Sequence, residues 1–309
     1  MYNANLKQEY IKYCMEQSRN QSFYDYLVRN FNKFEKFETE YGKDLSEFTT
    51  PEILDVYKMQ FYTSVETLLT LNSQLKKYTA YCLYRNLVKD GQNHFNEIDK
   101  NILYDCTNKV AFNMSILTRE QIETEIEDLY NPSEKFMMLA YFEGFRGKDS
   151  CDLTEAVVEQ IEGNEFHVAS GRVLEVSDLL IKYARESANE YEYIPYKMSD
   201  RERNWQLMFK ADDKRILKNL YNANSDEPKV QKRNLNTKLL RIKNYLGHEA
   251  INVTSLRESG RIDLTKKLME KGNYNSIREC YLANKDIIEY RYGALTSLDR
   301  WLMKYEAFL

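Results

Sequence analysis

Glycine and proline, the residues that most often interrupt helices and strands, are scarce in this sequence. The 309 residues include only 10 glycines and 4 prolines. A fold built of many short strands and tight turns needs more of both, so their scarcity favours long helices. Hydrophobic residues make up 43% of the chain and charged residues 30%, which is typical of a globular protein. The length is sufficient for two domains, each with its own core.

The start of the sequence carries no targeting signal, because residues 1–13 are polar and charged, and no apolar stretch elsewhere is long enough to span a bilayer. Five scattered cysteines without a close Cys-x-x-Cys pair, together with three histidines, predict reduced thiols and neither a metal site nor a cofactor. We therefore expect a cytoplasmic protein that makes no use of a membrane. The cysteines are Cys14, Cys82, Cys106, Cys151 and Cys280.

Charge is distributed unevenly along the chain, although the net charge is only -4. Residues 120–165 contain thirteen acidic residues against three basic ones, whereas residues 214–243 contain nine basic residues against two acidic ones. Such a chain can hold DNA on a basic surface and stay soluble through an acidic one. The alternative is that the acidic and the basic stretch each form an ordinary solvent-exposed surface without a binding role. The nine basic residues are Lys214, Arg215, Lys218, Lys229, Lys232, Arg233, Lys238, Arg241 and Lys243.

The first hundred residues have the apolar spacing of helices. Thr50 is a candidate N-cap, with Pro51 at the first helical position. Another helix is expected to begin near Ser64 and to break near Leu71 and Asn72. Helical spacing is clearest in the set Phe23, Tyr26, Leu27, Phe31 and Phe34.

Residues 96–117 are more polar and less regular, so we place a domain boundary there. The predicted domains are residues 1–110 and 111–309. Thr118 and Gln121 have the spacing of a capping box that opens a new helix, and Asn131 precedes a helix that should end at Gly144.

A short β segment follows these helices. Residues 157–161, 165–169 and 172–176 are predicted strands, separated by turns at 163–164 and 170–171. Ser177 then caps a helix, and the remaining pattern is helical, with breaks at 222–228, Gly247 and Gly272.

The order of these segments resembles that of tyrosine recombinases, the phage integrase family. Residues 140–146 (Ala-Tyr-Phe-Glu-Gly-Phe-Arg) look like the end of the helix that delivers the first catalytic arginine of the family, here Arg146. Residues 253–260 (Val-Thr-Ser-Leu-Arg-Glu-Ser-Gly) look like its His-x-x-Arg box, with Arg257 as the second arginine. Tyr290 or Tyr292 falls near the nucleophile position.

The resemblance implies a mainly α, tyrosine-recombinase-like fold. A helical core-binding domain, similar in residues 23–96, would precede a helical catalytic-like domain with a small three-stranded antiparallel sheet. A second match to the Leu-Gly-His form of the box occurs at residues 246–248. It leaves no arginine at the required position, so we interpret Gly247 as a helix C-cap and His248 as a surface residue.

Strand exchange in this family needs proton-transfer groups as well as two arginines that grip a phosphate. In the box, Thr254 stands where the histidine would be, and the later His/Trp position falls near Glu279 and Cys280. Arg172 is the residue nearest to the lysine of the β segment, and its pKa is too high for useful proton transfer. His167 lies within a strand. We therefore predict that the two arginines still bind a DNA phosphate but that the protein does not recombine DNA.

The predicted DNA contacts include a basic helix at residues 235–245, with Leu239 and Ile242 on its apolar side and Lys238 and Arg241 on its solvent side. The alternative interpretation is that the basic side of this helix is exposed to solvent and does not contact DNA. The full predicted set is Arg146, Arg257, Lys232, Arg233, Lys238, Arg241 and Lys243, with Ser73, Lys76 and Lys77 in the first domain.

The favoured function is sequence-specific binding of double-stranded DNA, as a transcriptional repressor that maintains phage lysogeny, with self-association through the C-terminal helix. An active recombinase with an atypical active site is the first alternative, and it needs a base that the sequence does not supply. A helical peptide-sensing regulator is the second, and it should show repeats of about 34 residues, which the sequence lacks.

Overall fold

A computed structural model describes residues 1–18, 21–60, 62–146, 152–196, 207–220, 228–248 and 251–309, apart from the side chains of 17–18 and 228–233. The chain divides into two compact units, Met1–Phe112 and Asn113–Leu309. Each unit buries its own hydrophobic cluster, with members from Tyr10 to Cys106 in the first and from Leu117 to Leu256 in the second. None of the described helices is both long enough and apolar enough to cross a membrane.

The regular elements of the first unit, among its described residues, are all helices. The helix α4 (Val65–Tyr84) was expected to break near Leu71 and Asn72, and this prediction is wrong. Both residues are buried, and the Asn72 side chain accepts a hydrogen bond from Tyr57 Oη (3.0 Å) and donates one to the Phe95 carbonyl (3.3 Å). Because its polar atoms are satisfied, the helix continues. The helices are α1 (Ala4–Ser18), α2 (Gln21–Tyr41), α3 (Thr50–Met59), α4 (Val65–Tyr84), α5 (Lys100–Asp105) and α6 (Lys109–Met114).

Helix α3 begins one residue earlier than predicted, because Thr49 rather than Thr50 is the N-cap. The Glu52 carboxylate accepts hydrogen bonds from the backbone N–H (2.7 Å) and the hydroxyl (2.9 Å) of Thr49. Pro51 is therefore the second helical residue. The predicted start of α4 near Ser64 is confirmed, and Ser64 is its N-cap.

The second unit is organised around α8 (Pro132–Phe142), whose residues are nearly all buried. It packs against the helices α7 (Arg119–Glu127), α9 (Asp178–Asn189) and α11 (Val253–Lys271). The Thr118 capping box and the Ser177 N-cap are confirmed. Helix α8 ends at Phe142, two residues before Gly144, which has a φ of 98°.

The three-stranded antiparallel sheet is confirmed, with shorter strands than predicted: β1 (Ile161–Glu162), β2 (Glu165–His167) and β3 (Val173–Glu175), in that order. Phe166 lies opposite Leu174. The prediction of a strand is wrong at residues 158–160, because Val158–Gln160 forms a 3-10 turn in which the Gln160 side chain accepts from Val157 N (3.0 Å). Val157 itself is extended and forms an isolated antiparallel bridge with Arg215.

The helical prediction for residues 190–220 is also wrong where the structure describes them. Isolated antiparallel bridges join Glu192 to Met208 and Phe209 to Leu220. The Asp213 carboxylate accepts from the backbone N–H groups of Arg215 and Asn219, a local turn that competes with helix formation. The predicted break at 222–227 lies outside the described residues. The later helices are α10 (Pro228–Leu246), α11, α12 (Ile277–Ala283), α13 (Lys285–Tyr292) and α14 (Leu298–Tyr305).

Candidate phosphate-binding arginine cluster

Four arginines of the second unit form a cluster. Arg146 follows α8, Arg172 precedes β3, and Arg257 and Arg261 lie one turn apart on α11. The pKa of Arg146 is lowered, first by burial and then by the positive charges of the other three. The three neighbouring guanidinium groups therefore raise the cost of keeping Arg146 charged, and an anion at this place would reduce that cost.

Two carboxylates lie against the cluster, which leaves positive charge in excess among these described side chains. Asp152 forms a buried ion pair with Arg172 and also accepts from the backbone N–H of Arg146 (2.9 Å). Glu258 lies 3.5 Å from Arg257 Nη2 and 3.2 Å from Arg261 Nε. Asp152 thus holds the backbone at Arg146.

The buried pair, Arg172 and Arg261, is bonded to backbone around the end of α13. Arg172 Nη1 donates to the carbonyls of Tyr290 (3.2 Å) and Arg291 (2.9 Å), and Arg261 Nη2 donates to those of Tyr292 (3.0 Å) and Gly293 (3.1 Å). These carbonyls are among the groups that a helix C-terminus leaves without helical partners. The helix dipole there also favours positive charge.

Arg146 and Arg257 are the more exposed members. Arg146 Nη2 donates to the carbonyls of Glu289 (3.2 Å) and Tyr290 (3.0 Å). Arg257 has 35% of its side chain exposed, while its Nε is buried and has no hydrogen-bond partner among the described residues. A buried guanidinium N–H without a partner, beside excess positive charge, is a donor available to an anion.

The close approach of α13 to α8 depends on Gly144. A Cβ at this residue would lie 2.5 Å from Arg291 Cγ. Arg291 Nε donates to the Glu143 carbonyl (2.8 Å), and its Nη2 donates to the Glu175 carbonyl (2.6 Å). The glycine of the predicted Gly-Phe-Arg segment therefore makes room for the helix that carries both candidate tyrosines.

The two tyrosines occupy different environments. Tyr290 is 49% exposed, and its Oη accepts a hydrogen bond from the Val173 N–H (2.9 Å). Tyr292 is buried, and its Oη donates to the Phe142 carbonyl (2.9 Å). Burial raises the pKa of Tyr292 far above its ordinary value.

The residues at the family's proton-transfer positions are scattered over several elements. Thr254 is exposed at the start of α11, Glu279 accepts from the Asn275 backbone (2.8 Å), and Cys280 is buried. His167 Nε2 lies 3.8 and 3.9 Å from carboxylates of β1 and β2. His248, interpreted as a surface residue, is half-buried with Nε2 3.3 Å from a carboxylate of α7, and Gly247 has the positive φ of a C-cap (71°).

The basic helix differs from its prediction at Lys238, which does not lie on the solvent side. Its Nζ lies 3.5 Å from Ser133 Oγ and over the rings of Tyr193 (5.9 Å) and Phe209 (5.4 Å). Burial lowers its pKa. The reason is that Tyr193 and Phe209, from stretches predicted to be helical, lie over this side of α10. Arg241 is exposed, with its guanidinium 5.7 Å from the Tyr193 ring centre.

The remaining predicted contacts lie on exposed or partly exposed surface where they are described. Ser73, Lys76 and Lys77 are exposed on α4, on the side away from the buried Leu75 and Tyr78. Lys243 is half-buried on α10, and the side chains of Lys232 and Arg233 lie outside the described residues.

A helical first unit, followed by a helical second unit that contains a three-stranded sheet, is the two-domain layout of tyrosine-recombinase-like proteins, so the predicted fold class is confirmed. The MrpR C-terminal catalytic domain matches residues 116–294, and the MrpR N-terminal core-binding domain matches residues 1–84. The chain belongs to the MrpR family.

A relative with similarity over the whole chain is the SPbeta prophage-derived uncharacterized protein YopR of Bacillus subtilis (strain 168). It is 22% identical over 318 residues, which cover 99% of this chain and 95% of that protein.

Proposed function

We propose that this protein binds double-stranded DNA sequence-specifically and represses transcription, without cutting or joining strands. The arginine cluster carries the proposal, because it holds more positive than negative charge and includes a buried Arg257 N–H without a described partner. A DNA backbone phosphate supplies the negative charge and the acceptor oxygens that such a donor needs. The exposed Lys76 and Lys77 on α4 would add backbone contacts from the first unit.

The repressor role rests on family and origin. A core-binding domain of the matched kind suggests contact with DNA, and the similar Bacillus subtilis protein is described as prophage-derived. A DNA-binding protein of a prophage that does not recombine can serve to keep phage genes silent, as the integrase-like master repressor of SPβ-type phages does. Such a protein would act in the cytoplasm.

The absence of strand transfer is proposed from the surroundings of the tyrosines. Tyr292 is buried with its hydroxyl committed to a backbone carbonyl, and the Tyr290 hydroxyl is bonded to the Val173 N–H of β3. Thr254 stands where the family has a base, and Glu279 would repel a phosphate. General acid–base groups each contribute about 10²–10⁴-fold, so losing several leaves no useful rate.

The test combines binding and covalent trapping. Arg257→Ala should weaken binding to a fragment of the source genome by roughly ten- to a hundred-fold, since a charge-assisted hydrogen bond contributes ~1.5–3 kcal/mol. Arg185→Ala, which removes the same charge from an exposed place on α9, is the matched control and should bind normally.

A nicked suicide substrate, run on a denaturing gel, tests the second half of the proposal. Neither the wild-type protein nor Tyr290→Phe should give a band of DNA-linked protein. A tyrosine-dependent covalent band would establish the active recombinase instead. Failure to bind any genomic fragment at low salt would reject DNA binding altogether.

A further inference from the structure

The C-terminal helix α14 reaches the arginine cluster through one hydrogen bond. Trp301 Nε1 donates to Glu258 Oε2 at 2.7 Å, and both side chains are buried. A buried, charge-assisted hydrogen bond of this kind fixes the position of the acceptor carboxylate.

Glu258 is the residue through which this bond acts on the cluster. Its Oε2 also lies 3.2 Å from Arg261 Nε, while its Oε1 lies 3.5 Å from Arg257 Nη2. Trp301 thus donates the hydrogen bond that holds Oε2, Arg261 adds an ion pair to the same oxygen, and the other oxygen faces the partly exposed Arg257. The longer separation to Arg257 leaves that guanidinium less neutralised than a close ion pair would.

We propose that Trp301 is a positioning residue for Arg257: by holding Glu258 Oε2, it keeps the carboxylate from closing onto Arg257 and so leaves that guanidinium available to a DNA phosphate. This inference rests on the proposed function. Without the indole N–H, the carboxylate has one donor fewer in a buried place and moves towards the remaining cation that can reach it. Arg257 would then form a close ion pair with Glu258 and would bind the phosphate more weakly.

The packing of α14 makes the indole position well defined. The Trp301 ring lies against Tyr281 (5.4 Å between ring centres) and Tyr305 (5.6 Å), and Arg278 pairs with Asp299 at the start of the helix. Since the apolar side of α14 packs within its own chain, self-association through this helix would have to use other residues and stays a prediction.

A double-mutant cycle distinguishes positioning from general stabilisation. Trp301→Phe keeps an aromatic ring and removes only the N–H and part of the ring system. It should weaken DNA binding about three- to ten-fold and reduce the salt dependence by about one phosphate contact. In an Arg257→Ala background the same substitution should have no further effect, because the residue it positions is gone. Met303→Ala, at an exposed place on α14, is the control and should bind normally.

Fluorescence gives a readout that a purely structural role would not change. The chain has two tryptophans, so Trp205→Phe leaves Trp301 as the only emitter. Adding the duplex should shift or quench the Trp301 emission, and Arg257→Ala should abolish that response at saturating DNA.

Three results would overturn the inference, each in a different way. If Trp301→Phe and Arg257→Ala weaken binding additively, Trp301 acts through stability alone. If Trp301→Phe binds normally while Arg257→Ala does not, the tryptophan has no influence on the contact. If neither the wild type nor any variant binds DNA, the proposed function fails and the inference fails with it.

Discussion

A fully buried ion pair between Lys7 and Glu38 holds α1 against α2 in the first unit. Lys7 Nζ forms an ion pair with Glu38 and lies 3.8 Å from Asp44 Oδ2. Glu38 also accepts from the Leu45 N–H (2.8 Å), and burial raises its pKa to about 7 despite the lysine. Nothing in the sequence marks Lys7 as different from Lys12, the other lysine of α1, since burial is decided by where that helix docks.

We predict that Lys7→Met destabilises the protein by about 3–5 kcal/mol, because it leaves a carboxylate buried without its counter-charge. Chemical denaturation of the full chain would measure the change. Lys12→Met, at an exposed place on the same helix, should alter the free energy of unfolding by less than about 0.5 kcal/mol. Equal effects of the two substitutions would show that the buried pair is not what holds α1.

His94 should make the stability of the first unit depend on pH. Its Nε2 lies 2.9 Å from Asp90 and its Nδ1 3.3 Å from Glu97, and these partners, Asp90 first, raise the pKa of His94 above 6.5. A raised histidine pKa gives stability that is complete below pH 6.5 and is lost as pH rises through the folded-state value. Melting curves from pH 5.5 to 8.5 should therefore differ between wild type and His94→Gln most at the acid end. Parallel curves would refute this linkage.

At the scale of the helices, the contact between α8 and α11 leaves no room for an added side-chain atom at Gly260. Gly260 lies where α11 touches the end of α8, and a Cβ there would be 1.7 Å from the Phe142 carbonyl oxygen and 2.8 Å from Tyr292 Oη. The helices can meet this closely only because the residue has no side chain.

Gly260→Ala should therefore destabilise the second unit by about 3 kcal/mol, the upper part of the usual range for overpacking, in spite of the better helix propensity of alanine. Thermal unfolding followed by circular dichroism would detect it. Lys266→Ala, at an exposed place on the same helix, is the control and should melt like the wild type. A neutral or stabilising Gly260→Ala would mean that the two helices do not approach so closely.

The elements that were predicted well are those whose signals are local. Capping residues such as Thr118 and Ser177 act within one turn, so the sequence alone places them. The failures depend on distant partners: α4 continues through Asn72 because Tyr57 and Phe95 satisfy it, and Lys238 is covered by a segment whose fold was mispredicted.

The same distinction holds within the candidate site. Arg146 and Arg257 were predicted from motifs, and Arg172 was noticed only as a substitute for a lysine. Arg261 was missed, although its spacing of four residues from Arg257 on a helix puts the two on one face. The carbonyls that hold the cluster come from residues 289–293 and from Gly144, and no sequence pattern identifies a backbone acceptor.

At the scale of the whole molecule, DNA affinity should fall steeply as salt rises, because each phosphate contact releases counterions. The slope of log K against log salt is about −0.9 per contact, and Arg257→Ala should reduce it by about one contact. Fluorescence anisotropy between 50 and 300 mM salt would measure both. A salt-independent affinity would argue against backbone contacts.

The two hydrophobic clusters predict that residues 1–112 fold alone. All buried members of the first cluster lie between Tyr10 and Cys106, so the isolated fragment retains them. It should show a cooperative melt and a helical circular dichroism spectrum. A fragment that stays unfolded would show that the first core needs the rest of the chain.

The contacts around α13 also determine the order in which the two units can finish folding during translation. Tyr292 bonds to a carbonyl 150 residues earlier, and Arg172 to one 119 residues later. Pairings so far apart form late and slow folding. On the ribosome, the N-terminal unit has all its core residues once residue 112 emerges, whereas the other unit cannot close its arginine cluster until residue 293 has been made. A chain that ends before residue 292 lacks both carbonyls to which Arg261 Nη2 donates, so translation that stops early leaves this arginine without them.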